Sequence, residues 1–317
     1  MTNDTRCLSR GIASQREDTG SEKRGVLLKF KSHRSEKQPI DSVQIGNRDW
    51  WTNNPMTYDW HGMSSSEPMS REWFDEMDRR WIEASFPFLS KRRPFDQIIP
   101  DSLDGKRVLE IGCGMGLHTE ELITRGADVT AVDLTESAVT ATKSRLAVKG
   151  LTARVQQADA EELPFGAGEF DFVWSWGVIH HSSRTTRIVR QIARALSAQG
   201  EARVMVYNRD ALVTKMLLAR YYIIGLEFRH RSADEVLWEH TDGFMARYFH
   251  REQFEDLGRG FFEEARTSVL GQESDVIPLP RQLRRHVSGW LSNERRVAAA
   301  AKRGTFLFTI ARNPLSR

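Results

Sequence analysis

The stretch Arg107–Gly116, Arg-Val-Leu-Glu-Ile-Gly-Cys-Gly-Met-Gly, limits this chain more than any other. Val108, Leu109 and Ile111 give a short apolar run of the kind a central strand needs. Three alternating glycines follow. They allow a sharp turn and close approach of backbone to a ligand, because a Cβ would obstruct either. Leu117–Arg125 then reads as a helix whose first amides face the turn. A strand, a glycine turn and a helix in this order hold a polar or anionic ligand group at the strand's carboxyl end.

The chain around it keeps the same rhythm. Ala127–Val132, Ala153–Gln157, Phe170–Trp176 and Glu201–Tyr207 read as strands, with helices over Thr135–Lys149 and Thr185–Leu196 between them. Such alternation means crossover units and a parallel sheet covered on both faces. Ala265–Gln272 and Thr305–Arg312 are two further strand candidates, for seven strands in all. Ser70–Ser85 reads as a helix capped by Ser70, with Trp73, Phe74, Met77, Trp81 and Ile82 on one face. Residues 1–45 are polar and charged and read as a disordered tail. Trp50–Trp60 is dense in aromatics without helical periodicity, and that much aromatic surface belongs inside, plugging the core or lining a pocket.

Composition excludes several classes. No run approaches the roughly 18 apolar residues of a spanning helix, and no apolar core of a signal peptide follows Met1. Net charge is +3 without a dense basic block carrying interleaved aromatics, so neither nucleic acid nor membrane is the expected partner. Only Cys7 and Cys113 are present, which suits a reducing cytoplasm. The nine histidines show no ligand-spaced cluster beyond the adjacent pair His180-His181, so no metal is expected. A homodimer is compatible with all of this.

In an open parallel sheet, the residues at neighbouring carboxyl ends share one crevice. Asp133, after the second strand, suits a pair of ribose hydroxyls. Asp159 suits an exocyclic amine, and the backbone amide of Ala160 suits a ring nitrogen; together they describe an adenosine site. Spacing argues against a dinucleotide: Gly112-x-Gly114-x-Gly116 is not Gly-x-Gly-x-x-Gly. Glu110 beside the turn would repel a pyrophosphate and favour a cationic group.

These motifs, with Leu163-Pro164-Phe165 and Phe170-Asp171-Phe172-Val173, resemble those of class I S-adenosylmethionine-dependent methyltransferases over roughly residues 100–210. The nearest branch is the small-molecule one that includes the ubiquinone and menaquinone C-methyltransferases. The resemblance implies a Rossmann-like α/β fold: a seven-stranded, mostly parallel sheet with helices on both faces and an antiparallel last strand. It implies S-adenosylmethionine as cofactor, with Glu110 and Gly112, Gly114 and Gly116 near the methionine moiety, Asp133 on the ribose, and Asp159 with Ala160 at the adenine. Cys113, Leu134, Trp174 and Ser175 complete that set.

A methyltransferase domain over 101–317, an aromatic and helical cap over 46–100 and a lid insert at about 208–250 follow. The acceptor is expected to be a small molecule. His180 and His181 are candidate bases, since imidazole titrates near neutral pH. Trp51, Tyr58, Trp60 and Trp176 would form an aromatic wall. Tyr207, Arg209, Arg247 and Tyr248 are the insert's candidate acceptor contacts, the arginines suiting a carboxylate or phosphate. RNA or protein methylation, and cofactor binding without catalysis, are the competing readings.

Overall fold

The computed structural model describes residues 40–57, 64–85, 95–279, 281–287 and 290–315. The motif strand is β1 (Arg107–Ile111), and β2 (Asp128–Asp133), β3 (Arg154–Gln157), β4 (Phe170–Trp176) and β5 (Leu196–Asn208) pair in parallel around it. The sheet order is β3-β2-β1-β4-β5-β8-β7. Strand β8 (Phe306–Pro314) runs antiparallel to both β5 and β7 (Phe262–Leu270), so the last strand is the reversed one. An eighth strand, β6 (Tyr248–Phe249), pairs with β5 and has no counterpart in the periodicity, because two residues are too few to show one. The chain runs outward from β1 to β3 and returns to β4 on the other side of β1. The crevice at the carboxyl ends of β1 and β4 is therefore the topological switch point.

Helices cover the sheet where their apolar faces demand it. In α5 (Thr185–Ala195), Ile188, Val189, Ile192 and Ala195 are buried at helical spacing and the arginines point outward. Helix α3 (Leu117–Thr124) leaves the glycine turn, and α4 (Glu136–Lys149) starts at Thr135, whose side chain accepts from the Ala138 amide. Helix α2 (Arg71–Ser85) starts where Ser70 Oγ accepts from the Trp73 amide, and it buries Trp73, Phe74, Met77 and Trp81. The buried Arg145 guanidinium of α4 ties three helices together through Asp78 of α2 and Glu120 of α3.

Helix α1 (Ile40–Asn53) differs from expectation on two counts. It takes in the end of the presumed tail, and it makes Trp50–Asn53 helical. The hydrophobic pattern misleads because this helix docks by polar groups: Ile45 is 60% exposed while Asn47 is 2% exposed. No helix among the described residues is long and apolar enough to cross a membrane.

Candidate active site

A cavity of about 570 Å³ opens at the switch point. Its floor is the glycine turn. Gly112, Gly114 and Gly116 all have positive φ, at 81°, 53° and 79°, the region that only glycine enters freely. Their surroundings differ. A Cβ on Gly112 would meet Val178 Cγ2 at 2.1 Å, and one on Gly116 would meet Arg145 Cδ at 3.0 Å. A Cβ on Gly114 would meet nothing within 4 Å, so that side of its backbone borders open cavity.

Asp133 lies beside this floor. Its carboxylate accepts from the amides of Gly114 and Thr135 at 3.1 and 3.0 Å. Burial raises its pKa and these donors oppose the rise. Asp159 Oδ1 caps the short turn at Ala160 by accepting from the Glu161 amide, and also accepts from Gln44 Nε2 at 2.9 Å. Cys113, Leu134 and Ala160 line the same end; burial pushes the Cys113 thiol well up. Glu110 does not line the cavity. It is buried beneath the turn, accepts from Thr119 Oγ1, and is pushed up to about 8 by desolvation. Trp174 and Ser175 are likewise behind the wall, where Ser175 Oγ donates to the Ile111 carbonyl.

The other end of the cavity is aromatic and thioether surface: Trp81, Trp176, Tyr207, Phe306, Met77 and Met205. His118 sits within it. Its Nδ1 accepts from Trp174 Nε1 at 3.0 Å, so in the neutral ring Nε2 carries the proton. That Nε2 has no hydrogen-bond partner, and burial lowers the His118 pKa to about 3. The segment after β5 closes this end with Val213, Leu217, His240, Thr241, Asp242 and Tyr248. Tyr248 and Thr241 share a 2.6 Å hydrogen bond. Burial raises the pKa of Asp242 and pushes Tyr248 up to about 12.

The two histidines divide. His181 lines the cavity; its Nδ1 donates to the Met245 carbonyl at 2.7 Å, which leaves the Nε2 lone pair free to accept a proton. Burial lowers its pKa to about 4. His180 has no exposed surface and lies between the rings of His181 and Tyr207 at 4.2 and 4.0 Å, with neither ring nitrogen hydrogen-bonded. It packs the wall rather than facing the cavity. Trp51 lines the cavity and meets His181 edge-on, whereas Tyr58 and Trp60 lie outside the described residues. Arg209 and Arg247 do not line it: Arg209 is paired with Asp234, and Arg247 donates to the Ser183 carbonyl and lies over Phe249. Both guanidiniums are occupied by the protein itself.

Residues 108–200 match the family model described as a methyltransferase domain. A ubiquinone biosynthesis O-methyltransferase of Aromatoleum aromaticum is 29% identical over 227 residues, which cover 67% of this chain and 94% of that protein. Another, of Dechloromonas aromatica, is 29% identical over 52% of this chain and 72% of its own. Residues 108–200 thus carry a methyltransferase domain, and the chain is similar to the class I S-adenosylmethionine-dependent methyltransferases. Among solved structures, the [4+2]-cyclase SpnF superposes with a TM-score of 0.52 at 17% identity, over 87% of this chain and 97% of that one. A chain of the complex containing the Haloferax volcanii Trm112 methyltransferase activator gives 0.51 at 18%, over 78% and 98%. At those identities both speak for the fold alone. Both of these curated relatives are named for O-methylation, not for the C-methylation of the branch that the motifs resemble.

The methyltransferase cofactor is S-adenosylmethionine, and the residues present fit it. The open side of Gly114, the Asp133 and Asp159 carboxylates and the Leu134 and Ala160 walls would hold its adenosine and methionine parts. Four residues escaped the sequence reading. Gln44 stands in what composition marked as tail and Asn47 just beyond it, yet Gln44 Nε2 donates to Asp159 and Asn47 Nδ2 to the His181 carbonyl at 2.6 Å. His118 carried the only available signal, a histidine in the first turn after the glycines. Asp242 carried none, since a single acidic residue in a charged segment is ordinary.

Proposed function

We propose that this enzyme transfers the methyl group to an oxygen of a small, flat, largely apolar acceptor. One observation carries the reading: a single cavity runs from the glycine turn to a chamber walled by Trp81, Trp176, Tyr207 and Phe306. Such a chamber suits a planar body. The names of the curated relatives favour oxygen as the methylated atom.

The cofactor, when bound, supplies a methyl carbon already activated by a sulfonium charge. The protein's part is alignment, water exclusion and proton removal. The described residues between 46 and 85 and the segment 208–250 act as covers over the domain of residues 101–317. Trp51 and the Val213–Tyr248 segment exclude water, and Trp176 and Tyr207 flank the acceptor. His181 Nε2 accepts the hydroxyl proton as the oxygen attacks in line, while Met245 holds the ring in the required tautomer. His118 Nε2–H donates to a second acceptor oxygen. The reaction belongs in the cytoplasm.

The test is incubation of cell extract with the enzyme and methyl-labelled cofactor, followed by mass spectrometry. A labelled aromatic O-methyl ether is the expected product. Labelled RNA or protein would overturn the small-molecule acceptor. Asp133→Ala should abolish labelling and weaken S-adenosylhomocysteine in calorimetry.

A further inference from the structure

The cavity wall after β5 has an outer side that the methyl-transfer reading does not use. Helix α6 (Leu212–Leu217) runs on as a π-helical stretch, Leu218–Ile224, none of whose residues is buried. A wide turn of this kind marks functional segments more often than structural ones. Leu226, at φ 59°, ends it in the left-handed region. Met216, Ile223, Ile224, Leu226 and Phe228 are exposed, Ile224 to 78%. Five large apolar side chains within thirteen residues form a patch that ordinary soluble surfaces avoid.

The exposed charges beside this patch are mainly positive. Lys215, Arg220, Arg229 and His230 are exposed beside it. The Arg220 and Arg229 guanidiniums lie over the Tyr221 and Phe228 rings, at 5.2 and 5.9 Å, and neither is ion-paired among the described residues. Of the nearby carboxylates, Glu227 is held by Arg231, and Asp210 lies 4.0 Å from Lys215. Aliphatic and aromatic side chains rimmed mainly by cations, with Arg220 and Arg229 outside any ion pair among the described residues, match an anionic lipid interface, where the apolar groups enter the acyl boundary and the cations meet phosphates. A second copy of the chain fits worse, because a two-fold contact here would oppose Arg220 and Arg229 to like charge.

We propose that residues 215–230 dock on the surface of an anionic phospholipid bilayer. The opposite side of the same segment lines the cavity through Val213 and Leu217, so docking sets the chamber against the lipid. This binding is peripheral and needs no spanning helix. It does not depend on which acceptor is methylated.

Sedimentation of the full chain with vesicles tests it. The chain should pellet with mixed phosphatidylglycerol and phosphatidylcholine vesicles at low salt, and at least tenfold less with phosphatidylcholine alone. Ile224→Ser combined with Phe228→Ser, and separately Arg220→Glu combined with Arg229→Glu, should each lower the anionic partition at least tenfold. S-adenosylhomocysteine affinity, read by calorimetry, should stay unchanged and so report an intact fold. Absence of vesicle binding overturns the proposal, as does binding that both variants retain. A concentration-dependent dimer that Ile224→Ser with Phe228→Ser dissolves, without vesicle binding, would assign the patch to a second copy and overturn it equally.

Discussion

The two ends of the cavity are built in opposite ways. At the glycine end the walls come from short segments that directly follow β1, β2 and β3, and the decisive contacts are between backbone and carboxylate, as at Gly114 and Asp133. At the aromatic end they come from positions as far apart as Trp51, Trp81, Trp176, Asp242 and Phe306, and the contacts are ring on ring. The first arrangement is a property of two consecutive crossover units and needs little else. The second exists only once five separate elements have docked. On the function proposed above, the local end takes the cofactor and the assembled end takes the acceptor.

Arg145 is where the two ends are joined, and its loss should have the largest effect. It holds α2, which carries Met77 and Trp81, onto α3 and α4 at the glycine turn. Arg145→Ala strands Asp78 and leaves Glu120 only Lys149, and removing one partner of a buried pair costs about 3–5 kcal/mol. Denaturant unfolding should show that loss, and both cofactor and acceptor binding should weaken together. Retained stability would mean that the ends are coupled elsewhere.

The histidines separate the ends more finely. His181→Ala should lower turnover by roughly 10²-fold, at the lower limit for a lost general base, with S-adenosylhomocysteine affinity little changed. Because burial holds its pKa near 4, turnover should show no ionisation step around pH 6.5. His180→Ala should spare the pH profile, and a lost alkaline or acidic limb in that variant would return the proton-transfer role to His180.

Gly114→Ala probes the glycine end alone. Its left-handed φ costs an added Cβ about 1–2 kcal/mol, and there is no protein atom for it to strike. Cofactor affinity should fall at least tenfold, as measured by calorimetry, because the new methyl occupies the cavity. An unchanged affinity would move the cofactor away from this turn.

Glu110→Gln should disturb the site least. Glu110 is protonated in the folded chain up to about pH 8, while the same group in the unfolded chain ionises near 4.5. Between those values the folded state binds the extra proton, so stability falls as pH rises and levels off above 8. The variant should remove that slope in unfolding experiments run from pH 5 to pH 9, and leave S-adenosylhomocysteine affinity within about threefold. A large loss of affinity would put Glu110 in contact with the cofactor after all.

How far each feature could be read without a fold follows the same division. The periodicity of β1, β2, β4, α4 and α5 is carried by apolar residues a few positions apart, and so is the placement of Asp133 and Asp159 at strand ends. Helix α1 was hidden because it docks through Gln44 and Asn47, and polar docking leaves no hydrophobic pattern. The arginines were misjudged for a related reason. Arg209 and Arg247 have the right chemistry for an anionic acceptor, but Arg209 pairs with Asp234, Arg247 donates to the Ser183 carbonyl, and neither lines the cavity. A side chain's partners are set by the three-dimensional neighbourhood and cannot be counted along the chain.

By itself the sequence determined the strand–turn–helix unit, the order of alternation, the placement of Asp133 and Asp159 at strand ends and the resemblance to methyltransferases. Each rests on interactions between residues close in the chain, where spacing is geometry. Only the tertiary structure decided which histidine faces the cavity, that Glu110 lies beneath the turn, that His118 presents a lone donor among aromatics, and that the π-helical segment shows its apolar side to solvent. Those outcomes depend on burial and on contacts across long loops. They appear only when distant elements close on one another.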